Sequence, residues 1–167
     1  MTSEYRISLT VNGEGISRTI EPRMSLADFL RDGLQLTGTH LGCEMGACGA
    51  CLVLMNGVPV HACLVLAAQA DGEVVETIEG LNERDVITDL QEAFFDRNAL
   101  QCGFCTTGMV VNAHAFLESA EKPNRDEIRD AISGNYCRCT GYEAIVDAIE
   151  NVANNRAKHL QASADQK

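Results

Sequence analysis

The chain has 167 residues and eight cysteines, which fall into two groups. Cys43, Cys48, Cys51 and Cys63 follow the spacing C-x4-C-x2-C-x11-C, and Cys102, Cys105, Cys137 and Cys139 form two close pairs. Thiols so placed can bridge as disulfides, hold a zinc ion or ligate an iron–sulfur cluster. Gly42, Gly46 and Gly49 lie among the first three cysteines. Glycine adopts positive φ and lets backbone come close, so a loop of this kind can turn its amide N–H groups toward sulfur.

The first spacing is the thiolate arrangement of a plant-type [2Fe-2S] site. In the second group, Cys102-Gly103-Phe104-Cys105 and Cys137-Arg138-Cys139 are separated by about one helical hairpin, and both fall at helix boundaries. Helix N-termini present free N–H groups and the positive end of the dipole, a favourable setting for thiolates. Spacing alone leaves open a structural zinc site or a second cluster, although a C-x-C pair is less typical of zinc. A thioredoxin-like disulfide at Cys102 and Cys105 lacks the preceding βαβ pattern.

A formal charge of −11 argues against nucleic acid as a partner, since nucleic acid selects basic faces. The excess negative charge is either a solvated face or a surface for a basic partner. The N-terminal residues Met1 to Arg6 show no basic-then-apolar export pattern, and no apolar run reaches membrane-spanning length. The chain is therefore expected to be soluble and cytoplasmic, without membrane insertion, a setting that favours metal ligation over disulfides. No nucleophile–base pair, Rossmann glycine pattern or P-loop is present, so the cysteines point to electron transfer without substrate chemistry.

The elements that position the cysteines change character along the chain. Residues 5–11 alternate apolar and polar, Asn12-Gly13 supplies a hairpin turn, and a second strand returns through Ile20. Ser25 with Asp28 marks a helix start, followed by the stripe Leu26, Phe29, Leu30 and Leu34, ending near Gly33. Asn56-Gly57 joins strands at 52–55 and 58–61, returning the chain so that Cys63 can close the first group. A last strand is expected over 73–78, with Glu79-Gly80 breaking the pattern. Beyond it the apolar period becomes helical, with helices around 86–94, 109–117, 124–132 and 142–156 and a polar tail from Lys158. The division expected is a domain at 1–80, a helical domain at 81–160 and a tail at 161–167. The fold class is α+β.

Three segments carry a resemblance across nearly the whole chain: Gly42 to Cys51, Gln101 to Met109, and Gly134 to Tyr142. Together they are similar to the iron–sulfur (small) subunit of the xanthine oxidase family of molybdenum hydroxylases. The resemblance implies an N-terminal β-grasp plant-type ferredoxin domain and a four-helix domain holding a second [2Fe-2S] cluster. It implies Cys43, Cys48, Cys51 and Cys63 as ligands of the first cluster, and Cys102, Cys105, Cys137 and Cys139 as ligands of the second. Gln101 and Cys139 would contact the molybdopterin cofactor, which is held by a large partner subunit. A medium subunit carrying FAD, and a dimer of heterotrimers, are further implications. Two positions depart from the pattern, Phe104 where Tyr is usual and Thr107 where Pro is usual.

The remaining candidates have ordinary readings. His40, His61, His114 and His159 are expected to pack or to lie at the surface rather than to replace cysteine ligands. Arg138 either faces an anionic cluster or cofactor phosphate or pairs with an acidic neighbour. Met45 is either loop packing or a partner contact, and Glu44, beside Cys43, is a candidate for lowering a cluster's potential.

Overall fold

The computed structural model describes residues 4–120 and 122–164. Tyr5–Val11 (β1) and Glu14–Ile20 (β2) pair antiparallel. Asn12 and Gly13 between them both take positive φ, 51° and 85°, as a two-residue type I′ turn requires. Leu52–Met55 (β3) and Val58–His61 (β4) make the second hairpin on Asn56 and Gly57. Val74–Glu76 (β5) lies between the hairpins, parallel to β1 and antiparallel to β3, so the sheet order is β2-β1-β5-β3-β4.

The helix after Ser25 is short and changes its winding: Leu26–Asp28 (α1) runs directly into a π-helical turn, Phe29–Gly33. Ser25 Oγ accepts the Asp28 N–H at 3.0 Å and donates to the Asp28 carboxylate at 2.6 Å. Leu26, Ala27, Phe29 and Leu30 pack on Ile7, Leu9, Val11, Val53 and Val75, forming one core between this helix and the sheet.

The strand expected over 73–78 stops at Glu76, and Ile78–Glu83 is a helix (α2). Gly80 lies inside this helix. A Cβ there would stand 2.3 Å from Asn12 Oδ1, so the glycine permits close packing on the first hairpin turn. Asn12 Oδ1 accepts the Thr77 N–H at 2.8 Å and its amide donates to Thr77 Oγ1 at 3.0 Å. Thr88–Asp96 (α3), Thr106–Ser119 (α4), Arg125–Ala131 (α5) and Glu143–Ala164 (α6) follow. Asn124 and Glu127 cap α5 reciprocally. The polar end of α6 is more ordered than expected: the helix continues past Lys158 to Ala164. Arg156 pairs with Asp89 of α3 at 2.7 Å. Residues 165–167 of the expected tail lie outside the described residues.

Strand β3 joins the two halves. Leu52 and Leu54 belong to the core built by α2 to α6, whereas Cys51 and Val53 belong to the sheet core. Alternate residues of a strand point to opposite faces, so one strand buried on both faces serves both cores, and its unbroken apolar run follows from that. Among the described residues no helix is long and apolar enough to cross a membrane.

Candidate metal centres

The first group of cysteines lies on the loop between the π-helical turn and β3. Arg31 Nη1 donates to the carbonyls of Thr37 and Thr39 at 2.8 and 2.7 Å, fixing the entry to that loop. Gly46 and Gly49 take φ of 72° and 71°, and Glu44 takes 54°. With the backbone so turned, the Ala47 N–H donates to Cys43 Sγ at 3.3 Å. Amides of Met45, Ala47 and Cys48 bring the Cys43 thiol down to about 7. Cys51 is different: burial, foremost, pushes it up to about 12, with Cys63 beside it.

The second group comes from two segments, one before α4 and one before α6. Cys105 caps α4 with its backbone, as the sequence anticipates. Burial, then the neighbouring Cys137 thiol, pushes Cys105 up to about 12. Burial opposes ionisation of Cys137, but hydrogen bonds outweigh it, and the Thr140 hydroxyl donates to Cys137 Sγ at 3.1 Å. Gly141 and Tyr142 both take φ of 70°. A bulky residue rarely adopts this conformation, and here the Tyr142 hydroxyl oxygen accepts the Cys137 N–H at 2.8 Å. Cys102 and Cys139 stand at the exposed edge with their sulfurs 3.6 Å apart.

All eight thiols are free, and they approach in pairs: Cys43 with Cys48, Cys51 with Cys63, Cys105 with Cys137 and Cys102 with Cys139. Among the described residues no three metal-ligating side chains gather on one point. Two pairs per group is the donor set of a binuclear cluster, in which each iron takes two protein ligands. The residues present therefore fit [2Fe-2S] clusters. Thiolate ligation requires deprotonation. The Cys43 amides and the Cys137 hydrogen bonds favour it, whereas the buried Cys51 and half-buried Cys105 thiols resist it, and a bound metal would supply the opposing charge.

The two loops touch. The Tyr136 N–H donates to the Cys48 carbonyl at 2.9 Å. Asn135, only 2% exposed, donates through Nδ2 to the Gly49 carbonyl at 3.2 Å and accepts from Asn112 Nδ2 at 2.7 Å. A Cβ on Gly108 of α4 would stand 2.1 Å from the Gly49 oxygen. Asn135, Asn112 and Gly108 were not singled out from sequence as the joint between the groups. Gly108 carries the one signal that could have shown it, since glycine inside a helix costs stability and marks a close approach.

The other candidates are placed as follows. Gln101 Nε2 donates to the Cys139 carbonyl at 3.0 Å, so its amide is folded onto the exposed edge. Arg138 is exposed and forms no salt bridge among the described residues, in contrast to the acidic pairing weighed from sequence. Met45 is 72% exposed beside the first group, and Glu44 is exposed too. His40 bonds Phe104, His114 is buried on α4, and His61 Nδ1 is buried without a partner. His159 is exposed on α6.

Residues 9–78 match the family model of a 2Fe-2S iron-sulfur cluster binding domain, and residues 77–150 that of a [2Fe-2S] binding domain. The chain is 48% identical to caffeine dehydrogenase subunit gamma of Pseudomonas sp. (strain CBB1), over 90% of this chain and 92% of that protein. It is also 48% identical to the nicotine 6-hydroxylase small subunit of Paenarthrobacter nicotinovorans, over 89% of each. Among solved structures, quinoline 2-oxidoreductase from Pseudomonas putida 86 superposes with a TM-score of 0.87 at 49% identity, covering 93% of this chain and 97% of that one. Aldehyde oxidoreductase from Desulfovibrio gigas superposes at 0.83 with 39% identity, and there 89% of this chain lies over 17% of a much longer one.

Proposed function

Since the chain belongs to the iron–sulfur subunits of the xanthine oxidase family of molybdenum hydroxylases, we propose that it relays electrons singly between a molybdopterin centre and an acceptor, FAD or another, both in partner subunits. Cys43, Cys48, Cys51 and Cys63 would hold one [2Fe-2S] cluster, within residues 1–80. Cys102, Cys105, Cys137 and Cys139 would hold the other, within 81–160. Bound there, each cluster supplies a centre that takes up and gives back one electron.

The observation that carries this reading is the direct bond between the loops. Tyr136, next to Cys137, donates its N–H to the carbonyl of Cys48. This joins a residue beside one ligand set to a member of the other through covalent bonds and a single hydrogen bond. The buried Asn135 holds the same junction shut. Cys102, Cys139 and Gln101 form the exposed edge of the helical group and would face the large molybdopterin subunit. Gln101 there orients the Cys139 carbonyl. The oxidation of substrate, an aldehyde or an N-heterocycle, would take place in that partner. A medium FAD subunit, assembly as a dimer of heterotrimers and a cytoplasmic setting, where thiols stay reduced, complete the reading.

The test is iron and acid-labile sulfide per chain, an electron paramagnetic resonance (EPR) spectrum after dithionite, and molybdenum in the complex purified with the chain. Roughly four irons, four sulfides and two distinct signals, with molybdenum retained, are expected. Two irons and one zinc would make the helical site structural and overturn the relay. Full iron without a molybdenum partner would make the chain a free ferredoxin-like carrier instead.

A further inference from the structure

Phe104 is next to Cys105 in sequence, yet its ring lies against the other cysteine loop. His40, on the strand of chain leading into that loop, stacks on the ring with centroids 4.7 Å apart and planes 18° from parallel. His40 Nδ1 lies 2.7 Å from the Phe104 carbonyl oxygen. A carbonyl can only accept, so Nδ1 carries the proton and donates. Thr107 Oγ1 stands 3.4 Å from the same nitrogen. Near the ring is Gly42, where an added Cβ would stand 3.1 Å from Cys48 Sγ and 3.5 Å from Phe104 Cε1. The ring and the Cys48 sulfur therefore both lie close to the bare Cα of Gly42. Phe104 is 48% exposed, so one part of the ring meets solvent and the other covers the loop.

We propose that Phe104, held in place by His40, shields the cluster site of Cys43 to Cys63 from water and so lowers the reduction potential of that cluster, across the junction from its own. This rests on the proposed assignment of Cys43, Cys48, Cys51 and Cys63 as ligands of a one-electron cluster. Reduction adds one electron, and hence one negative charge, to an already anionic centre. Water stabilises the added charge, and an apolar ring that keeps water out makes it harder to accommodate. His40 is a positioning residue here, acting through the ring it stacks on.

The experiment is a dithionite redox titration of the full chain in its complex, followed by EPR, with a Cys102→Ala variant assigning the two signals. In Phe104→Ala the midpoint of the ferredoxin-type cluster should move positive, by more than that of the helical cluster. Phe104→Tyr, which keeps the ring, should return the native value. His40→Ala should shift the same midpoint in the same direction by a smaller amount. Should Phe104→Ala lose iron, His40→Ala decides by the same criterion. An unmoved ferredoxin-type midpoint with iron retained, or a larger shift of the helical cluster, would overturn the proposal while leaving the relay intact. One signal and two irons in the unmutated protein would instead remove the relay reading, and this proposal with it.

Discussion

At the scale of single residues, the electrostatics are set by who shares the buried space. His114 on α4 is 8% exposed, and its Nδ1 has no hydrogen-bond partner. Burial, which outweighs the attraction of Glu118, holds its pKa below the usual imidazole value. The folded protein thus keeps this ring neutral while the unfolded chain protonates it. Stability from this source is complete above about pH 6.5 and falls as the pH drops toward the folded pKa. Relative to a His114→Phe variant, the native protein should lose up to about 1.4 kcal/mol per pH unit over that window. Denaturant titrations at several pH values measure the difference, which also cancels the acid sensitivity of the thiolates. A difference independent of pH would mean that His114 binds protons equally in both states.

At the scale of elements, α4 is pressed onto the first cysteine loop at a position that admits no side chain. A Cβ on Gly108 would stand 2.1 Å from the Gly49 carbonyl oxygen and 3.1 Å from two backbone atoms of Ala50. Backbone cannot swing aside as a flexible side chain can. Gly108→Ala should therefore cost about 1–3 kcal/mol or more from overpacking, despite alanine's better helix propensity. Thermal unfolding and iron content of the variant check this, and a stabilised protein with full iron would show that α4 does not pack this tightly. Helix α2 also carries a glycine at a close contact, there with a side chain. Gly80 reads as a break in sequence, yet it lies within the helix, and the Asn12 side chain occupies the space a Cβ would take.

For the molecule as a whole, two cores share strand β3, and the two cysteine groups meet where these cores adjoin. The sheet core and the helical core are built mostly from apolar side chains that need no metal, with Cys51 alone of the cysteines a buried member. By contrast, the loop from Gly42 to Gly49 turns its amides toward sulfur rather than toward a sheet ladder. Metal-binding free energy is folding free energy for such segments. Stripping iron with a chelator under reducing conditions should therefore raise amide hydrogen exchange in residues 41–50 and 134–142, while β1, β2 and the middle of α6 stay protected. Exchange followed by mass spectrometry reads this segment by segment. Uniform loss of protection would mean that the clusters hold the cores together as well.

The sequence by itself determined the cysteine groups, both Asn-Gly hairpins, the Ser25 helix start, the helix around 124–132 and the α+β class. These rest on local chemistry: thiol spacing, positive φ at turns, capping and apolar period. Only the tertiary structure decided that the two cysteine groups share one junction, with Tyr136 bonded to Cys48, Asn135 to Gly49, and Gly108 stacked beneath. It likewise decided that the Phe104 ring covers the loop distant from it in sequence. Those contacts join residues 60 to 90 positions apart, roughly (Asn135 and Gly49 are separated by 86), and no local pattern encodes which backbone atom a glycine must leave room for.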